Sequence, residues 1–254
     1  MLESIKGKVC WVTGAGTGIG RAAAVMLARQ GACVILSGRT MASLQKTADL
    51  VAQAGGTSST QRLDVADPDQ VQDVAGRIER QYGRLDILVN NAGTNITERH
   101  WAQVRPEKWK EVIDIDLNGA FYCAHCALPV MRRQKNGLII NVSSWAGRFY
   151  SLLTGPAYSA AKHALMAMNA SINMEECANG IRACAMCPGE VWTEIIDRRP
   201  DQLDEEVKSK MLRPEDVGET IVFIARLPKT VCINEIIISP TWNRGYLAAL
   251  NPQA

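Results

Sequence analysis

The sequence predicts an α/β fold: a doubly wound parallel sheet of about seven strands with helices on both faces. Short apolar runs of strand length alternate with longer segments of helical period along the whole chain, the pattern of parallel strands joined by crossover helices. A glycine-rich turn, TGAGTGIG (13–20), joins the first such run to the first helical segment. With 254 residues and 47% hydrophobic content, the chain has enough apolar material for one core, and residues 1–254 are expected to form a single domain.

The elements follow in order. VCWVTG (9–14) is an apolar run ending in glycine, and IGRAAAVMLARQG (19–31) has a helical apolar period stopped by Gly31. ACVILSG (32–38) supplies a second buried strand, MASLQKTADLVAQAGG (41–56) a second helix and STQRLDV (59–65) a third strand. The alternation continues with a helix over 68–83, a strand over 85–93, a long helix over 106–131 and a strand over 137–144. It closes with a helix over 157–178, a strand over 181–189, a helix over 214–227 and a last strand over 235–240. The long helices around Asn118 and Tyr158 are apolar or small on most faces, which suits burial on two sides and points to an oligomer interface.

Composition removes several function classes. A net charge of +2, from 28 basic and 26 acidic residues, provides no field for gripping nucleic acid or an anionic membrane. The opening MLESIKGKVCWVTG has no secretory pattern and no run of about 18 apolar residues occurs, so a cytoplasmic protein is expected. The eight cysteines lie in apolar segments, where a free thiol behaves as a small hydrophobe. The two CxxC pairs, Cys123/Cys126 and Cys184/Cys187, fall on an expected helix and an expected strand, without the tight turn of a zinc knuckle, so no metal site is expected.

The chemistry begins at the glycine turn. Gly14, Gly18 and Gly20, with Thr17 and Ile19 between them, let a pyrophosphate approach the amides at a helix N-terminus, whose partial positive charge favours an anion. In a dinucleotide fold an acidic residue about 20 residues further on binds the ribose hydroxyls of NAD, whereas arginine favours the extra phosphate of NADP. Here LSGRT places Gly38 and Arg39 at that point, so NADP is favoured and NAD stays open, with Arg39 as a solvated charge the plainer alternative.

In YSAAK (158–162) a phenol and an ammonium stand four residues apart on one helical face. A phenol with its ordinary pKa near 10 is a poor base at neutral pH, and a neighbouring ammonium favours the phenolate and lowers that value. Tyr158 and Lys162 are therefore an acid/base pair in prospect.

TGAGTGIG, LDV (63–65), NNAG (90–93), Asn118, NVSS (141–144), YSAAK and CPGEVWT (187–193) follow one another at separate strand ends. In this order they resemble the short-chain dehydrogenase/reductase family across essentially the whole chain. The resemblance implies a Rossmann-type fold, hydride transfer between NAD(P) and a secondary alcohol or ketone of a small substrate, and a homotetramer, or a dimer, built on the two long helices. It makes Tyr158 the general acid/base, gives Lys162 a second role on the nicotinamide ribose, and has Asn118 hold a water that links Lys162 to solvent. Ser144 would bind the substrate oxygen, with Ser143 a strand-end hydrogen-bonding residue. Asp64 and Val65 would flank the adenine. Asn91, Ala92 and Gly93 would line the cofactor, and Pro188, Gly189, Val191 and Thr193 would cover the nicotinamide.

Side chains expected to meet substrate are Trp145, Tyr150, Glu190 and Trp192, beside Ser144 and Tyr158, and the charged segment 194–212 is where the family carries a substrate cover. The rival reading is a catalytically silent nucleotide-binding protein of the same fold. The intact set Asn118, Ser144, Tyr158 and Lys162 argues against it.

Overall fold

The computed structural model describes residues 1–196, 199 and 203–250. Its strands are β1 (Val9–Thr13), β2 (Cys33–Gly38), β3 (Thr57–Arg62), β4 (Ile87–Asn90), β5 (Gly137–Val142), β6 (Ile181–Pro188) and β7 (Glu235–Ile238). Between them run α1 (Gly18–Arg29), α2 (Met41–Gln53), α3 (Pro68–Tyr82), α4 (Pro106–Ile113), α5 (Gly119–Gln134) and α6 (Pro156–Glu176). The chain continues through α7 (Glu205–Ser209) and α8 (Pro214–Ala225) before β7, and α9 (Arg244–Leu250) follows it.

All strands pair in parallel in the order β3-β2-β1-β4-β5-β6-β7. Alternate residues of the central strands feed two cores. Cys10, Val12, Val34, Leu36, Val89, Ile140 and Met186 pack with α1, α2 and α8 on one face. Val9, Trp11, Ile35, Leu88, Ile139 and Ala183 pack with α3 and α5 on the other. Burial of each such large side chain contributes about 1.5–3 kcal/mol. The buried Trp11 indole also keeps its polar end satisfied, its Nε1–H donating to Ser37 Oγ at 2.8 Å.

Strand order reverses between β1 and β4, and ligands of open α/β sheets sit outside the carboxyl ends of the strands at such a point. Thr13 fastens it: its Oγ1 accepts the N–H groups of Asn91 and Ala92, each at 3.0 Å, and donates to Val89 O at 3.3 Å. A chain of buried amides ties the next strands together, Asn90 Nδ2 donating to Asn141 Oδ1 and Asn141 Nδ2 to Asn169 Oδ1, both at 3.0 Å.

Three expectations change in detail. β3 is a polar edge strand ending at Arg62, so Leu63, Asp64 and Val65 lie beyond it, and β5 stops at Val142, leaving Ser143 and Ser144 on the turn that follows. The long helix over 106–131 is broken by a π-helical turn at Asp114–Asn118, where one extra residue widens the coil. The charged segment 194–212 includes residues 197, 198 and 200–202, which lie outside the described residues.

Candidate active site

A cavity of about 650 Å³ opens at the carboxyl ends of β1 and β4. One end is built by the glycine turn. A β carbon on Gly14, which has φ +62°, would lie 2.9 Å from Ala92 Cα, and one on Gly20 would lie 2.2 Å from Gly14 O. These glycines therefore bring α1 and its leading turn against β4, and no larger residue fits. Arg21 Nη2 holds the Gly16 carbonyl, and Asn91 Nδ2 holds those of Thr13 and Gly14 at 3.0 and 3.3 Å. With the carbonyls engaged elsewhere and no cap from the Thr17 side chain, the first-turn amides of α1 are left for a bound anion. The turn fits a dinucleotide pyrophosphate.

From there the cavity passes Gly38, Arg39, Asp64 and Val65 on one side and Asn91, Ala92 and Gly93 on the other. Thr193 leans over it from the β6 side, close enough that a β carbon on Gly18 would meet its Cγ2 at 3.1 Å. Pro188, Gly189 and Val191 line the wall below, so the expected cofactor residues share one groove.

At the far end stands Tyr158 on α6. Lys162, one turn later, is buried with its Nζ 5.4 Å from the phenol ring centroid and donates to Val142 O at 3.2 Å. The Ser144 hydroxyl lines the same cavity as the phenol and accepts the Ala146 N–H at 3.1 Å. Ser143 points the other way, its Oγ donating to Lys162 O at 3.0 Å, which fixes the helix rather than facing substrate.

The electrostatics differ from the simple expectation. Burial pushes the Tyr158 phenol above its ordinary value; Lys162 pulls it down, Asp116 adds to the rise, and Ser144 and Arg99 oppose it. Burial works against the Lys162 ammonium, but Asp116 and the phenol hold it above the usual lysine range.

Asn118 lies at the end of the π turn. Its Nδ2 donates to Asp114 Oδ1 at 2.9 Å, within the π turn, and Asp116 on the same turn stands beside the lysine, its Oδ2 3.3 Å from Nζ. Two expected substrate residues lie elsewhere. Tyr150 is exposed and stacks on His163 at 5.3 Å, and Trp192 lines a separate cavity between α1 and α8. The aromatic wall comes instead from Trp145, with Phe149 and Tyr246 packed on it at 4.8 and 5.6 Å. Glu190 lines the cavity as expected but is engaged there: Arg199 Nη1 reaches it at 2.7 Å and Arg244 Nε at 2.9 Å, and these contacts hold its carboxyl below the usual range despite burial. The arginines were not legible, because Arg244 is 54 residues from its partner and sits on a helix beyond the last strand.

The CxxC cysteines lie on α5 and β6 as expected. Burial pushes Cys184 up to about 12 and Cys187 up to about 11, as befits apolar packing.

A glycine cradle at the sheet's reversal point and a half-buried tyrosine beside a buried lysine, with a serine at the far end, together define a nucleotide-dependent oxidoreductase site. A family model described as short chain dehydrogenase matches residues 8–204. A 3-oxoacyl-(acyl-carrier-protein) reductase of Thermotoga maritima is 32% identical over 241 residues, covering 92% of this chain and 96% of that protein. An alcohol dehydrogenase from the archaeon Thermococcus sibiricus, solved with 5-hydroxy-NADP, superposes with a TM-score of 0.84 at 26% identity, covering 94% of this chain and 99% of the other. A metagenomic short-chain oxidoreductase solved with NADP gives a TM-score of 0.82 at 28% identity, covering 95% and 100%. The chain belongs to the short-chain dehydrogenase/reductase family and is an NAD(P)-dependent oxidoreductase acting between CH–OH and C=O. Among the described residues no helix is long and apolar enough to cross a membrane.

Proposed function

We propose that this protein is an NADP-preferring reductase and dehydrogenase of small secondary alcohols and ketones, with Tyr158 as its acid/base. The observation that supports the reading is that Tyr158, with Lys162 beside it, shares with Ser144 the cavity that the glycine turn opens. Gly14, Thr17, Gly18, Ile19 and Gly20 would hold the pyrophosphate, Arg39 the phosphate that distinguishes NADP, and Asp64 and Val65 the adenine. Asn91, Ala92, Gly93, Pro188, Gly189, Val191 and Thr193 would enclose the rest. The nicotinamide supplies or accepts the hydride when bound.

In the reductive direction Ser144 donates a hydrogen bond to the carbonyl oxygen, steadying charge that grows there. Tyr158 gives its hydroxyl proton to that oxygen, so the phenol O–H bond breaks as the alcohol O–H bond forms. Lys162 offsets the charge left on the phenolate. The reverse reaction runs the same proton back to Tyr158.

The two solved relatives named above carry NADP or a derivative of it, which supports the preference for that cofactor. Residues 1–254 are taken as one domain. A homotetramer, or a dimer, is proposed on the strength of apolar side chains exposed on the long helices, Phe121 on α5 and Met174 on α6. A cytoplasmic setting accords with eight cysteines, none in a disulfide.

A panel of small ketones, aldehydes and alcohols, assayed with NADPH or NADP and with NADH or NAD by nicotinamide absorbance, tests the reading. It expects turnover of at least one carbonyl, faster with NADPH. Nucleotide binding without turnover of any panel member would favour the catalytically silent alternative.

A further inference from the structure

We infer that Asp116 is a positioning residue that pairs with Lys162, screens its charge from Tyr158 and so keeps the phenol protonated at neutral pH, setting this site to donate a proton and reduce carbonyls. The inference rests on the acid/base role of Tyr158.

Asp116 sits on the π-helical turn between α4 and α5, with its side chain fully buried. Its Oδ1 accepts the Thr94 N–H at 2.7 Å, and its Oδ2 faces Lys162 Nζ at 3.3 Å. Both oxygens thus face donors. A carboxylate, which only accepts, suits both positions, Oδ1 through a hydrogen bond and Oδ2 through charge alone, whereas a protonated acid or an amide would turn a donor toward one of them. Burial opposes ionisation of this carboxyl and raises its pKa, while the Lys162 ammonium and the Thr94 N–H favour the ionised form. Gly93 keeps the pair close to the cavity wall: a β carbon there would lie 3.4 Å from both Asp116 Oδ2 and Lys162 Nζ.

A buried ammonium alone would be a strong stabiliser of a neighbouring phenolate. With a carboxylate on its other side, the pair presents little net charge, and the phenolate gains less. Among the described residues, the other charged or titratable groups around the phenol and the lysine are few. Arg99, from the loop after β4, favours the phenolate, and Cys187, at the end of β6, adds slightly to the hold on Lys162. Ser144 supports the phenolate from the turn after β5. Across the cavity Arg199 and Arg244 are engaged with Glu190. Asp116 is the carboxylate among them that opposes ionisation of Tyr158.

The test titrates Tyr158 directly. Tyrosinate difference absorbance of the cofactor-free protein, with Tyr158→Phe subtracted as background, should give a midpoint above the free phenol value of about 10. In Asp116→Asn, and in Asp116→Ser should the amide variant fail to fold, the midpoint should fall by about one unit or more, the scale of one nearby charge. The alkaline rise in alcohol oxidation and the alkaline fall in carbonyl reduction should move acidward together. A wild-type midpoint well below the free phenol value would overturn the inference without any variant. So would a variant whose midpoint stays in place or moves alkaline. A Tyr158→Phe protein that keeps turnover would instead remove the acid/base role and leave the Asp116 titration standing, so the two failures are distinguishable.

Discussion

Replacing Arg39 with alanine should separate the two nicotinamide cofactors. Arg39 follows Gly38 at the carboxyl end of β2, is exposed and lines the groove. A charge-assisted hydrogen bond from a guanidinium to a phosphate contributes about 1.5–3 kcal/mol. At about 1.4 kcal/mol per decade, that range spans about 10- to 200-fold in affinity. Because Arg39 stands in solvent, screening moves the expectation to the lower end, about 10-fold for NADPH, while NADH affinity stays unchanged. The complementary substitution is sterically open: a β carbon on Gly38 would have Leu44 Cδ2 as its near neighbour at 3.4 Å, an ordinary contact. Gly38→Asp should therefore leave β2 in place and shift preference toward NADH, through repulsion of the phosphate as much as through new ribose contacts. Calorimetric titration of the wild type and both variants with each reduced cofactor checks this. Tighter wild-type binding of NADH than of NADPH, or an unchanged NADPH constant in Arg39→Ala, would refute the reasoning.

Two further outcomes concern the frame of the site. Gly20→Ala would place a methyl 2.2 Å from Gly14 O and 2.5 Å from Asn91 Nδ2, so nucleotide binding should be lost, and retained NADPH affinity in a titration would contradict the cradle described above. Glu176 at the end of α6 is nearly buried and accepts from Arg132 Nε at 3.0 Å, and Arg132 holds its carboxyl below the usual range. Since Arg132 is half exposed, Glu176→Gln should cost about 1–2 kcal/mol at neutral pH, less than a fully buried pair. A carboxyl with a depressed folded pKa stabilises above its unfolded value and loses that contribution as pH falls through the folded one. The gap between wild type and Glu176→Gln in urea unfolding should therefore close on acidification below the ordinary glutamate range, and a gap that persists there would argue against the ion pair.

What was legible in the sequence is what short-range pattern encodes. The apolar runs at β1, β2, β4 and β5 and the glycine turn fixed the sheet and its groove, because a strand's alternation and a glycine's missing β carbon are local properties. Tyr158 and Lys162 were legible for the same reason, being one helical turn apart. Asp116 was not: an unbroken helix was expected through 106–131, and the π turn at Asp114–Asn118 changes which side chain faces α6 without leaving a trace in apolar periodicity. Tyr150 and Trp192 were singled out by residue type, but the course of the loops sets whether an aromatic faces the cavity. Arg244 and Glu190 meet only because α9 folds back over the carboxyl end of β6.

The central claim is that Tyr158 carries the proton, and Tyr158→Phe tests it most directly. The phenyl ring preserves the shape of the side chain and removes only the hydroxyl, so calorimetric NADPH affinity should stay near wild type while single-turnover reduction of the best panel substrate is abolished. Turnover within about tenfold of wild type, a loss smaller than the 10²–10⁴ that a positioned acid/base contributes, would contradict the account.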